Sequence, residues 1–245
     1  MLRLRDLLLV ESREAVSAIP PGKTLICTIN AHSYNLAQRD ELFAEALSES
    51  DYVIPDGASI VKACRWLKGR SQPRERIAGW DLFSLEMHRL NDEAERRNKR
   101  LRAMFVGASE RVLMLIKERA AREYPLVEVL TYSPPYKDTF SDDDNRRMVN
   151  AINAAEPDLL WIGMTAPKQE KWVHRHWDEL HIGCHVGAIG AVFDFYAGTA
   201  RRAPQWMQRH SLEWLYRLLK EPRRMWRRYV VGNPLFLCNV VREKF

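Results

Sequence analysis

Short apolar runs alternate along this chain with longer stretches of helical period. The runs Thr24 to Ile29, Tyr52 to Ile54, Leu101 to Val106, Leu126 to Thr131, Asp158 to Ile162 and His181 to Val186 have strand length and few polar residues, as strands covered on both faces do. Between them, apolar residues recur at helical spacing over Tyr34 to Leu47, Ala58 to Leu67, Glu110 to Glu123 and Asp142 to Ala155. A long amphipathic helix is predicted from Gly79 into the charged stretch Asn91 to Arg100, and another begins at Thr165 to Glu170. Strands separated by helices predict an α/β fold: a mainly parallel, Rossmann-like sheet with helices on both faces. The alternation ends near residue 200, so 1–200 reads as the α/β domain and 201–245 as a helical appendage.

Charge sharpens that division. The net charge of +6 is unevenly spread, for 201–245 holds 11 Lys or Arg against 3 Asp or Glu, while 1–200 is slightly acidic. Over Pro222 to Val231, Arg223, Arg224, Arg227 and Arg228 fall within about 140° at about 100° per residue, opposite Met225, Trp226, Tyr229 and Val230. That pattern suits a helix lying in an anionic membrane interface, and equally a helix packed on the core with solvated arginines. Leu212, Leu215, Tyr216 and Leu219 are expected to pack on the main domain. With 46% hydrophobic and 29% charged residues the chain reads as soluble and globular. No apolar run approaches the roughly 20 residues of a membrane span, and Met1 to Val10 lacks the core of a secretory signal, so a cytoplasmic location is expected. Cys27, Cys64, Cys184 and Cys238 form no C-x-x-C pair, which argues against a disulfide scaffold or zinc site.

The candidate chemistry lies where strands end. Tyr52 to Ile54 stops at Pro55, and Asp56-Gly57 opens the next helix. Asp56 suits an N-cap, but Thr28 and Asn30 arrive at a neighbouring strand end, where open α/β sheets bind ligands. Together they make a plausible sugar-handling site. In Thr165 to Glu170, Pro167 suits a first helical turn whose free N–H groups can receive a diphosphate, with Lys168 and Gln169 adding a charge and an amide. The alternative is an ordinary helix start. Gly187 and Gly190 interrupt a strand exit that a ligand or another backbone could approach. Gly107-Ala108-Ser109 lacks G-x-G-x-x-G and a Walker lysine, which weakens an NAD-dependent epimerase or oxidoreductase. Asp142-Asp143-Asp144 after Ser141 reads as first-turn acids rather than a metal triplet, and His174 and His176 are badly spaced for joint ligation. No metal and no cofactor is expected. A nucleic-acid-binding module built on the Arg/aromatic tail is a rival, weakened by the acidic remainder and the lack of a nucleic-acid motif.

The ordered set Thr28-Ile29-Asn30, Pro55-Asp56-Gly57, Gly79-Trp80-Asp81-Leu82-Phe83, Phe105-Val106-Gly107, Gly163 to Glu170, Val186 to Asp194, Arg201-Arg202-Ala203-Pro204 and Glu213 to Leu218 resembles the WecG/TagA/CpsF family of bacterial glycosyltransferases, from about Thr24 to Arg228. The resemblance implies inverting, metal-independent transfer of a hexose-type sugar from a UDP-sugar to a polyprenyl-diphosphate-linked saccharide at the inner face of the membrane. Donors in such a family include N-acetylmannosamine, its uronic acid and glucose, and the products are teichoic-acid, capsular or exopolysaccharide units. It implies Asp56 as general base with Thr28 and Asn30 beside it. Substrate binding falls to Gly57, Asp81, Lys168, Gln169, Gly187, Gly190, Arg201, Arg202 and the tail arginines Arg217, Arg223 and Arg224. Ile29 and His32 depart from the usual first motif. A homo-oligomer is compatible with this pattern.

Overall fold

In the computed structural model, which describes every residue of 1–245 except Ser211 and the side chains of Arg209 and Arg224, six strands form one sheet. They are β1 (Thr24–Ile29), β2 (Tyr52–Pro55), β3 (Leu101–Gly107), β4 (Val127–Tyr132), β5 (Leu159–Gly163) and β6 (His185–Ala188). All pair in parallel, in the order β2-β1-β6-β5-β3-β4. Every strand therefore ends at the same edge of the sheet, and the α/β expectation holds.

The helices are α1 (Arg13–Ser17), α2 (Ala31–Ala37), α3 (Glu41–Ser48), α4 (Ala58–Leu67), α5 (Gly79–Arg96), α6 (Glu110–Glu123), α7 (Asp142–Ala155), α8 (Lys168–His176) and α9 (Ala191–Ala197). Successive strand residues point to opposite faces, so each face gathers its own core. Cys27, Ile29, Leu160 and Val186 meet Phe43, Ile60, Met148 and Trp172 on one side. Ile26, Ile54, Phe105 and Trp161 meet Phe83, Ile116 and Phe193 on the other.

Two boundaries differ from the sequence expectation for local reasons. The apolar period from Tyr34 to Leu47 is continuous, but the helix breaks because Asp40 accepts from the Phe43 N–H at 3.0 Å and caps α3 afresh. The last strand begins at His185 rather than His181, whose N–H is donated to Asn153 Oδ1 at 2.8 Å. The acidic run behaves as first-turn acids: Asp144 accepts from Ser141 N (3.0 Å), Ser141 Oγ (2.7 Å) and Lys137 Nζ (2.7 Å).

Beyond α9 the chain forms α10 (Gln205–Arg209), α11 (Glu213–Lys220), α12 (Pro222–Trp226), a π-helical turn over Arg227–Val231, and α13 (Gly232–Lys244). The π turn breaks the regular spacing on which the expected two-faced arc depends. Met225 is buried, whereas Trp226, Val230 and Val231 are exposed. Leu219, expected on the main domain, is 71% exposed. The final helix returns to the body: Phe236 and Val240 join the core beside α2. The Glu243 carboxylate accepts from Leu4 N (2.9 Å), Arg5 N (2.7 Å) and Tyr34 Oη (2.6 Å). The basic segment is thus fastened at both ends. No helix among the described residues is long and apolar enough to cross a membrane.

Candidate active site

Pairing of β1 with β2 puts Thr28 beside Ile54 and Ile29 beside Pro55, so the two strands end together. Asp56 N donates to Ile29 O at 2.8 Å, locking the β2 exit onto the β1 exit. One residue further along each strand stand Asn30 and Asp56. Asn30 Oδ1 accepts from His32 N and Ser33 N at 3.0 and 3.1 Å as the cap of α2. The cap of α4 is Gly57, not Asp56, so the aspartate is not spent on a helix end.

Its partner is an arginine that sequence reasoning missed. Ile77 N donates to Pro55 O at 3.1 Å, which draws the loop between α4 and α5 against the β2 exit. Arg76 NH2 then lies 3.5 Å from Asp56 Oδ1, with the two side chains 24% and 30% exposed. Arg76 also pairs with Glu213 of α11, and Glu213 lies 3.7 Å from Arg202. Burial raises the Asp56 pKa above the usual carboxylate value, against the pull of Arg76 and Arg217. The result is a carboxylate more basic than a free one, still paired with cations. The only cue in the sequence was an Arg-x-Arg pair ahead of Gly79, which carries no distance information.

The appendage reaches the same place. Arg202 NH2 donates to Gln208 Oε1 at 2.9 Å, and its guanidinium sits 4.8 Å from the Trp80 ring centre. Arg217 sits 5.1 Å from the Phe195 ring centre, close enough for its charge to act on Asp56. His32 borders this region too, its pKa pushed down to about 4 by burial and by the charge of Arg228. Arg201 and Arg223 are exposed, and the Arg224 side chain lies outside the described residues.

Other sequence candidates are placed elsewhere or occupied. Asp81 accepts from Ala78 N at 2.8 Å and lies 3.3 Å from Arg13, so it caps α5. Lys168 turns toward Lys137 O and the Phe140 ring, 3.6 Å from its centre. Gln169 is only 3% exposed; its Oε1 accepts from Met164 N (3.2 Å) and Gly190 N (3.1 Å). At Gly187 a Cβ would meet the Trp161 ring at 2.2 Å, and at Gly190 one would meet Met164 O at 2.3 Å. These glycines admit core and backbone. A side chain at either position would force the Trp161 ring or the Met164 backbone to shift. Among the described residues one group of metal-type ligands converges, Glu45, Glu49 and His174, on the outer face of α3 and α8; it is largely exposed and does not include Asp56.

A half-buried carboxylate flanked by arginines at a strand edge fits group transfer at an anionic leaving group. The model of the glycosyl transferase WecG/TagA/CpsF family matches residues 6–245. The chain belongs to that family. It is a glycosyltransferase, as are relatives of similar length. An N-acetylglucosaminyldiphosphoundecaprenol N-acetyl-β-D-mannosaminyltransferase of Bacillus spizizenii is 32% identical over 219 residues, covering 89% of this chain and 79% of the relative. Enzymes of the same name from Bacillus subtilis and Staphylococcus aureus are 31% and 26% identical, each over about nine-tenths of this chain and 80% of their own length. Around the β2 exit the structure brings Asp56, Arg76 and Glu213 together, with the charge of Arg217 acting on Asp56.

Proposed function

We propose that this glycosyltransferase moves a hexose-type sugar, with N-acetylmannosamine the first choice, from its UDP-sugar to a polyprenyl-diphosphate-linked saccharide, inverting the anomeric centre and needing no bound metal. The observation that carries the mechanism is the Asp56 carboxylate, set beside Arg76 and raised in pKa by burial. The sugar choice and the lipid-linked acceptor rest on the names of the Bacillus and Staphylococcus relatives.

Asp56 takes the proton of the acceptor hydroxyl as its oxygen attacks the anomeric carbon. The bond to the UDP oxygen breaks, and its electron pair leaves with the diphosphate. A base whose pKa lies nearer the working pH performs this step better than an unperturbed carboxylate. Growing charge on the leaving group is met by the cations of the appendage, Arg202 and Arg217, with the exposed Arg201 and Arg223 on the same appendage. Thr28, Asn30 and Gly57, packed against Asn30 and Ser59, stand at the strand exits beside Asp56, with His32 beyond Asn30 offering a neutral imidazole. The exposed Trp206, Leu219, Trp226 and Val231, close in sequence to the exposed Arg223 and Arg227, suit contact with the anionic inner face of the cytoplasmic membrane, where a polyprenyl acceptor would be met.

The test is UDP release from a panel of UDP-sugars in EDTA, with and without a synthetic polyprenyl-diphosphate N-acetylglucosamine. Acceptor-dependent release from UDP-N-acetylmannosamine is expected. Release that needs added manganese, or that ignores the acceptor, would overturn the mechanism.

A further inference from the structure

Gln169 is a side chain with both ends committed. Its oxygen receives two backbone N–H groups, from Met164 at the β5 exit and Gly190 at the β6 exit. That fixes which end is oxygen, because an amide nitrogen cannot accept there. Its Nε2 is then forced toward Glu170, whose Oε1 accepts at 2.9 Å. Glu170 is 1% exposed, and its other oxygen, Oε2, has no hydrogen-bond partner among the described residues.

We infer that Glu170, in its neutral form, is a positioning residue: it holds the Gln169 amide in the one orientation that ties the β5 and β6 exits together and so aligns the active-site edge. The path from there is physical. Gly190 precedes α9, α9 carries Phe195, Arg217 stacks on Phe195, and the charge of Arg217 acts on Asp56. An ionised Glu170 would be a buried charge supported only by the Gln169 amide and its own backbone N–H, with no cation paired to it among the described residues, an arrangement that costs several kcal/mol in general; the neutral acid keeps the acceptor that Gln169 needs. Burial raises its pKa to about 7. The titratable group of β1 facing it is the Cys27 thiol, itself pushed up by burial and by Glu170. Toward α3, Lys171 pairs with Asp40 at 2.8 Å, and the His174 ring lies 3.9 Å from Glu45 and 3.6 Å from Glu49.

Between the ordinary glutamate value of 4.5 and about 7, the folded protein keeps a proton that the unfolded chain gives up. Stability of the wild type therefore falls as pH rises through that window.

The experiment compares wild type with Glu170→Gln and Glu170→Ala. Its kinetic arm rests on the glycosyltransferase reading; its spectroscopic and thermal arms do not. In difference infrared spectra, wild type minus Glu170→Gln, a neutral-acid C=O band is expected at pH 6 and should fade through pH 7 to 8. The melting temperature of Glu170→Gln should gain on wild type as pH rises. In UDP release, Glu170→Gln should match wild type at pH 6 and keep its kcat/KM at pH 8, where wild type declines. Glu170→Ala should raise the donor KM at every pH. A folded Glu170→Gln that is inactive at pH 6, or a wild type with no neutral-acid band at pH 6, would overturn the inference. If no donor and acceptor pair turns over while the band titrates as described, the proposed reaction fails and the neutral strut stands.

Discussion

Replacing Arg76 by Gln removes the nearest positive charge from Asp56 while leaving a polar side chain in its place. At 3.5 Å, two unit charges interact by about 1 kcal/mol in water and by about 5 kcal/mol at an effective dielectric of about 20. Both side chains are about a quarter exposed, 24% and 30%, so solvent screening keeps the value near the lower end, about 1.4 kcal/mol or about one pKa unit. The freed Glu213 pushes the same way, because it already raises the Asp56 pKa and would lose its pairing with Arg76. Arg217 and Arg228 still pull downward and stop the shift from running further. A base must be ionised to act, so the acidic limb of kcat/KM against pH should move up by about one unit in Arg76→Gln. At the midpoint of the wild-type limb, where wild type keeps half its plateau, the variant should fall to about a tenth of its own plateau. Arg76→Lys, which keeps a charge, should return the limb most of the way. The assay is UDP release from pH 4.5 to 9 with saturating acceptor. A folded Arg76→Gln whose limb stays in place, or moves down, would refute the coupling between these two residues and with it the assignment of the limb to Asp56.

Other substitutions probe the remaining parts. Asp56→Asn keeps the shape of the side chain and removes the base; it should retain the wild-type melting curve and lose at least about a hundredfold in kcat, and unchanged turnover would exclude Asp56 as base. Gly187→Ala drives a Cβ to 2.2 Å from the Trp161 ring and should cost about 1–3 kcal/mol of stability by overpacking, measured by urea denaturation, with no donor-specific effect on KM. Trp226→Asp combined with Val231→Asp adds charge to exposed apolar positions; it should reduce flotation with anionic liposomes while leaving turnover of a short-chain, detergent-free acceptor within about twofold, since neither side chain is part of the cluster around Asp56. Equal liposome binding would remove the membrane role from this segment.

What local chemistry controls was legible in the sequence: short apolar runs, helical periods, and caps such as Ser141 with Asp144 depend on residues a few positions apart. The parallel α/β class followed from that alternation, and the strand-end position of Asp56 followed with it. Where a capping side chain competes with an apolar period, the pattern misleads, as Asp40 shows by splitting one expected helix into two. Contacts between distant segments were decided only by the tertiary structure. Arg76 reaches Asp56 because Ile77 is bonded to Pro55, and Glu213 reaches Arg76 from the start of α11 in the appendage. Motif residues could be picked out without revealing their work: Gln169 and Gly190 mark the edge of the site, yet one clamps two strand exits and the other makes room for the Met164 carbonyl. The tail shows the same limit. Its basic and apolar composition is written in the chain, but the π turn and the return of α13 onto α2 decide which side chains face solvent. Composition fixes what a segment can touch; only the packing of the whole chain fixes what it does touch, because each long-range contact must repay the entropy of ordering the chain between its ends.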